Sequence, residues 1–180
     1  ACARAIFAAN LYEMRSAPIV PQTAAAAAAP SQYAVNVSNF EQLIDAVEAA
    51  GIIDNTLIIF SSDNGGADYV GLPNLNAPYR GWKMTFFEGG THVPFFMRWP
   101  NRIEAGTEYQ RPVTHIDIFS TIAAAANVNV PTDREIDGVD LLPFVTGERS
   151  EDPHDAIFWR TGTYRAVRSG DWKLQLSDPD

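Results

Sequence analysis

The stretch Thr56-Leu57-Ile58-Ile59-Phe60-Ser61-Ser62-Asp63-Asn64-Gly65-Gly66 decides the reading of this chain. Its first five residues are a short β-branched run, apolar on both faces, which is the pattern of a central strand covered by helices on each side. Its last six are a polar, glycine-rich turn at the strand's carboxyl end, where open α/β sheets bind their ligands. Just upstream, Asp54-Asn55 turns the chain into the strand, and before it Phe40, Leu43, Ile44 and Val47 recur at helical spacing. Ser38 with Glu41 reads as a capping box for that helix, and Gly51 as its stop. An amphipathic helix leading into a buried strand predicts an α/β fold.

Downstream, residues 67–92 read as a long loop rich in Gly, Pro and Asn, a length that usually carries function. Val93-Pro94-Phe95-Phe96-Met97-Arg98-Trp99 follows as a second strand, whose early proline suits a strand beginning or an edge. Thr114 and Asp117 can cap a helix with a buried stripe of Ile118, Phe119, Ile122 and Ala126, ending near Asn127. After a turn-rich piece the period changes to two over residues 157–160, 163–168 and 172–176, separated by Gly162 and by Ser169-Gly170-Asp171. That pattern predicts an antiparallel meander forming a second, smaller sheet. At the other end, residues 4–15 suggest a helix, followed by a Pro-bounded alanine tract. The chain thus divides into a poorly specified lead-in (1–32), an α/β part (33–150) and the start of an antiparallel subdomain (151–180).

With 180 residues, 46% hydrophobic and 19% charged, the chain can bury the core of one ordinary domain. Its 13 basic and 22 acidic residues give a net charge of −9, and no basic run is present, which argues against nucleic acid as a partner. The single cysteine, Cys2, excludes an internal disulfide framework and a thiolate zinc cage. No apolar run approaches the roughly 20 residues of a transmembrane segment. The chain opens on Ala1-Cys2-Ala3-Arg4, without Met or an unbroken apolar leader, and is expected to be a piece of a longer protein.

Asp63 and Asn64 set a carboxylate and an amide oxygen side by side, and Gly65 and Gly66 let the backbone turn beneath them. Hard oxygen donors of this kind suit Ca²⁺, with Mg²⁺ second, and are poor for copper or zinc. The same residues also make an ordinary β-turn, so the metal reading needs its neighbourhood. Lys83 lies among alternating aromatics, charges and glycines, where it could offer a point charge to an anionic substrate or be a solvated surface lysine. Of the three histidines, His92 and His115 read as loop and orienting or capping groups, and His154, among Glu151, Asp152 and Asp155, as a surface residue. Arg80 and Glu88 could pair across the loop.

Together these stretches resemble the carboxyl half of the sulfatase family, in the alkaline-phosphatase-like superfamily. Residues 54–65 are similar to the family's strand and metal turn. Residues 80–94, ending Glu88-Gly89-Gly90-Thr91-His92-Val93-Pro94, are similar to its second signature. Arg98-Trp99-Pro100, Val113-Thr114-His115-Ile116-Asp117, Asp137-Gly138-Val139-Asp140-Leu141-Leu142-Pro143 and Gly170-Asp171-Trp172-Lys173 follow in the family's order, so the resemblance covers about residues 33–176. It implies a partial alkaline-phosphatase-like sandwich with the beginning of a small C-terminal antiparallel sheet. It also implies hydrolysis of a sulfate ester, aryl or carbohydrate, by a formylglycine hydrate beside Ca²⁺. Asp63 and Asn64 match two of the metal ligands, and Lys83 matches the lysine that contacts the sulfate. The nucleophile motif Cys/Ser-x-Pro-x-Arg has no match here, since Cys2 is followed by Ala3-Arg4-Ala5, so the formylglycine is expected in an amino-terminal half outside these residues. Such a chain alone is expected to be inactive. Two other readings stand beside it: a phosphoryl or phosphonate hydrolase of the same superfamily, which Asn64 disfavours, and a non-catalytic binding module on the same scaffold. The family is commonly periplasmic, secreted or lysosomal.

Overall fold

The structure of the chain, a computed structural model, describes residues 4–7 and 40–176. Two three-stranded sheets organise it. In the first, strand β1 (Arg4–Phe7) pairs in parallel with β2 (Thr56–Ser61), and β2 pairs antiparallel with β3 (Phe95–Arg98). The central position of β2 follows from its apolar run. Ile58 faces helix α1 (Phe40–Ala49) and packs with Leu43 and Val47, while Leu57 packs on the opposite side with Trp99 and with Ala125 of helix α3 (Asp117–Ala125). The strand is therefore covered on both faces, as its sequence requires. Gly51, at a positive φ of 64°, ends α1 as expected, and β3 begins directly after Pro94 at the edge of the described sheet.

Two expectations are corrected here. Residues 4–7 are a strand rather than the start of a helix, because Ala5 to Phe7 find a ladder on Leu57 to Ile59, and a non-local partner overrides weak local spacing. Residues 8–39, including Ser38 of the capping box and the alanine tract, lie outside the described residues. The buried stripe of α3 is also different. Asp117, Ser120, Thr121, Ala123 and Ala125 are inside, whereas Phe119 is half exposed. The reason is polar pairing. Ser120 Oγ donates to the Gly138 carbonyl at 2.6 Å, and Thr121 Oγ1 accepts from Leu141 N–H at 3.0 Å, so α3 is docked through its hydroxyls onto residues 138–141.

The long loop holds one helical turn, α2 (Glu88–Thr91), and a 3₁₀ turn at Asp68–Val70. A further short helix, α4 (Leu142–Val145), leads toward the second sheet. That sheet is the expected meander, β4 (Ile157–Thr161), β5 (Tyr164–Ser169) and β6 (Trp172–Leu176), all antiparallel. Its turns place Gly162 and Gly170 at positive φ, which glycine adopts without strain. No helix among the described residues is long and apolar enough to cross a membrane.

Candidate active site

Asp63 and Asn64 leave the carboxyl end of β2, Asp63 exposed and Asn64 half-buried. Their turn is fixed by its own hydroxyl, since Ser62 Oγ donates to the Asn64 carbonyl at 2.8 Å. His115 braces it from α3's side: its Nε2 donates to the Ser62 carbonyl at 2.8 Å and lies 3.0 Å from Ser61 Oγ. His115 is thus an orienting group, in keeping with the sequence expectation.

Beneath the turn the chain is packed backbone against backbone. The Gly65 N–H donates to the Gly90 carbonyl at 3.0 Å, and the Gly89 N–H to the Arg80 carbonyl at 2.7 Å. A Cβ at Gly65 would lie 1.7 Å from the Gly89 oxygen, and one at Gly90 would lie 2.1 Å from the Thr85 oxygen. Only glycine permits this approach. Asn76 completes the platform: its Oδ1 accepts from Gly66 N–H at 2.7 Å, and its Nδ2 donates to the carbonyls of Gly66 at 2.9 Å and Gly81 at 3.2 Å.

Lys83 is tied to the same platform through its main chain, whose N–H reaches the Gly66 carbonyl at 3.4 Å. Its ammonium stands over the Tyr69 ring, 5.2 Å from the centroid. The Lys83 pKa is raised, first by a hydrogen bond to Tyr69 and by that residue's charge; slight desolvation opposes this, and the Asp63 carboxylate adds to it. The Lys83 side chain is exposed, and what joins it to the expected metal turn is the main-chain bond to Gly66, two residues beyond Asn64. Tyr69 and Asn76 were not anticipated. Asn-rich, Pro-bounded sequence around 72–78 signals only a turn.

Other expectations shift. Arg80 lies over the Phe87 ring at 4.2 Å instead of pairing with Glu88. Glu88 is taken by Lys173 Nζ at 2.7 Å, with Arg168 at 3.5 Å and His92 at 3.3 Å. Burial would raise the Glu88 pKa, but the Lys173 hydrogen bond and the charges of Lys173, Arg168 and His92 outweigh it and leave the group below its ordinary value. His92 also stacks on Tyr79, centroids 4.5 Å apart. His154 is a correction: it is nearly buried, its Nε2 2.8 Å from Asp117 Oδ1, because the buried carboxylate offers a stronger partner than the exposed acids beside it in sequence.

A cavity of about 530 Å³ lies between the two sheets, with Glu88, His92, Tyr109, His115, Trp159 and Arg168 on its wall. Asp63, Asn64 and Lys83 do not line it, so it adjoins the candidate site without containing it. No group of three or more His, Cys, Asp or Glu side chains among the described residues is arranged to hold a metal ion. Two neighbouring oxygen donors at an open strand end fit part of a Ca²⁺ shell, which takes six to eight oxygens.

Residues 29–128 match the sulfatase family model. The chain belongs to the sulfatase family. Its sulfatase relatives include the uncharacterized sulfatase YdeN of Escherichia coli (strain K12), 34% identical over 131 residues, covering 73% of this chain and 23% of that protein. The steryl-sulfatase of Rattus norvegicus is 36% identical over 130 residues, covering 68% of this chain and 22% of that protein. The chain therefore spans about a quarter of the length of these curated relatives. Among solved structures, Ps i-CgsB in complex with k-i-k-neocarrahexaose superposes with a TM-score of 0.68 at 31% identity, covering 77% of this chain and 31% of that one. The α/β architecture with its small antiparallel sheet is accordingly part of the alkaline-phosphatase-like sandwich of the sulfatases.

Proposed function

We propose that this chain supplies part of the Ca²⁺ site and a sulfate-contacting lysine of a sulfuric ester hydrolase. The observation that carries the reading is the shared platform: Gly65 and Gly66 follow the Asp63-Asn64 turn directly, and Gly66 also accepts the Lys83 main-chain bond. Asp63 and Asn64 would hold the ion through their side-chain oxygens. Bound Ca²⁺ supplies Lewis-acid neutralisation of the ester's sulfate oxygens.

Lys83 supplies a second positive charge. As an ordinary lysine it is protonated at neutral pH, and its ammonium, standing over the Tyr69 ring, would meet negative charge developing on the sulfuryl oxygens. His115, through Ser62, holds the turn that presents the metal donors. No nucleophile is assigned to any described residue. A sulfate ester of an aryl or carbohydrate group is the substrate class, in line with the oligosaccharide complex of the structural neighbour.

The test is titration of the chain with inorganic sulfate in the presence of Ca²⁺, following the Lys83 side-chain nitrogen by NMR. A saturable shift that requires Ca²⁺ and disappears in Asp63→Ala is expected. No shift of the Lys83 nitrogen at saturating sulfate and Ca²⁺, or a shift undiminished without Ca²⁺ and in Asp63→Ala, would overturn the reading.

A further inference from the structure

Helix α2 poses a physical problem. It is a single turn, Glu88–Thr91, and its two central residues are Gly89 and Gly90. One turn of helix is not self-supporting, and each glycine disfavours it by about 1 kcal/mol relative to alanine. The glycines cannot be exchanged for better helix formers, because a Cβ at Gly89 would stand 2.3 Å from the Gly81 oxygen and one at Gly90 would stand 2.1 Å from that of Thr85. Yet α2 carries the Gly90 carbonyl that receives the Gly65 N–H next to the Asp63-Asn64 turn. Something outside the helix must hold it.

We propose that Lys173, on β6, is a positioning residue: it clamps both ends of α2 and so fixes the Asp63-Asn64 turn and the Lys83 loop relative to one another. Its ammonium donates to Glu88 Oε1 at 2.7 Å and to Thr91 Oγ1 at 2.7 Å, the first and last residues of the helix, with the two glycines between. Lys173 is mostly buried, at 15% side-chain exposure, and lies over the Trp159 ring, 4.7 Å from the centroid. A desolvated, doubly bonded ammonium of this kind differs from an exposed surface pair, which contributes little. Arg168 on β5 backs the same carboxylate at 3.5 Å. The C-terminal meander thereby acts on a turn more than a hundred residues away in sequence. This deepens the proposed metal and sulfate site and rests on that reading for its binding consequence, but not for its structural one.

Amide hydrogen exchange on the whole chain tests the clamp. In Lys173→Met the Gly65 amide is expected to exchange at least about tenfold faster, while the Leu141 amide, bonded to Thr121 in the α3 docking site, keeps its rate. Lys173→Arg is expected to restore most of the protection. Unchanged Gly65 exchange in Lys173→Met, or equal acceleration at Gly65 and Leu141, would overturn the proposal. Should Lys173→Met fail to fold, Thr91→Val removes one of the two Lys173 bonds at constant shape, together with that hydroxyl's longer 3.3 Å bond to the Phe87 carbonyl. It is expected to accelerate Gly65 alone by about threefold, and no change there would also overturn it. The Ca²⁺ midpoint, read from the Asn64 side-chain amide, is expected to rise at least about threefold in Lys173→Met. If the unaltered chain shows no Ca²⁺ response, the site reading fails and the exchange comparison alone decides the clamp.

Discussion

His154 Nε2 lies 2.8 Å from Asp117 Oδ1, joining the residues that precede the second sheet to the first turn of α3. The carboxylate is fully buried and also accepts the N–H groups of Thr114 at 2.8 Å and Val139 at 3.0 Å. Gly138 is pressed against this turn, where a Cβ would meet the Ile116 oxygen at 2.1 Å. One buried acid thus organises three separate segments.

Asp117→Ala should consequently be among the most damaging substitutions in the chain. It strands two partly buried N–H groups and an imidazole, for a loss of about 3–5 kcal/mol in urea unfolding. Asp117→Asn keeps the shape and one acceptor, and should cost roughly half as much. A loss below about 1 kcal/mol for the alanine variant would show that these bonds are replaceable by water.

Leu57→Ala removes the centre of the cluster formed with Trp99 and Ala125, and should cost about 2–5 kcal/mol. Phe158, on the open face of the meander, is 75% exposed, and Phe158→Ser should change stability by no more than about 0.5 kcal/mol. Equal effects at the two positions would contradict the assignment of the core to both faces of β2.

Gly65→Ala and Gly106→Ala separate close packing from backbone conformation. Gly106 has a φ of +80° and open space around it, so alanine there should cost only about 1 kcal/mol. At Gly65 the new methyl meets the Gly89 carbonyl, and either the turn or α2 must move. A loss above about 2 kcal/mol is expected, with displaced Asn64 and Gly90 resonances. A smaller loss at Gly65 than at Gly106 would refute the platform.

Two carboxyl groups act oppositely on stability in acid. Glu88 has a folded pKa below its ordinary value, since Lys173, Arg168 and His92 outweigh burial, so its contribution is complete above the unfolded pKa near about 4.3 and is lost as pH falls through the folded one. Asp140 is raised, first by burial and also by Glu148, against a bond from the Leu142 N–H. Its favourable contribution is present at low pH and is lost as pH rises through its folded pKa. Unfolding free energies from about pH 3 to pH 7 should show a shallower acid loss in Glu88→Gln and a steeper one in Asp140→Asn. The reverse assignment would be incompatible with these environments.

Much of this was legible in residue patterns that act locally. The β2 run, the helix ending at Gly51, the three meander strands and the family resemblance through Asp63, Asn64 and Lys83 all rest on short-range spacing or ordered motifs. The failures share one cause, a partner far away in sequence. Residues 4–7 became a strand because β2 lies beside them, α3 turned its Ser and Thr inward because residues 138–141 offer backbone partners, and His154 found Asp117 rather than its acidic neighbours. Lys173 stood out only as the last residue of the ordered motif Gly170-Asp171-Trp172-Lys173, since its partner Glu88 lies far away in sequence.

The most direct test of the central claim is a Ca²⁺ titration of the chain, observed at the Asn64 side-chain amide and the Gly65 backbone amide. A saturable, weak response with a midpoint of about 1 mM or higher is predicted, as two oxygen donors provide only part of a Ca²⁺ shell, and Asp63→Ala should abolish it. Shifts that are absent at Asn64, or that persist undiminished in Asp63→Ala, would contradict the assignment of this turn as a metal site.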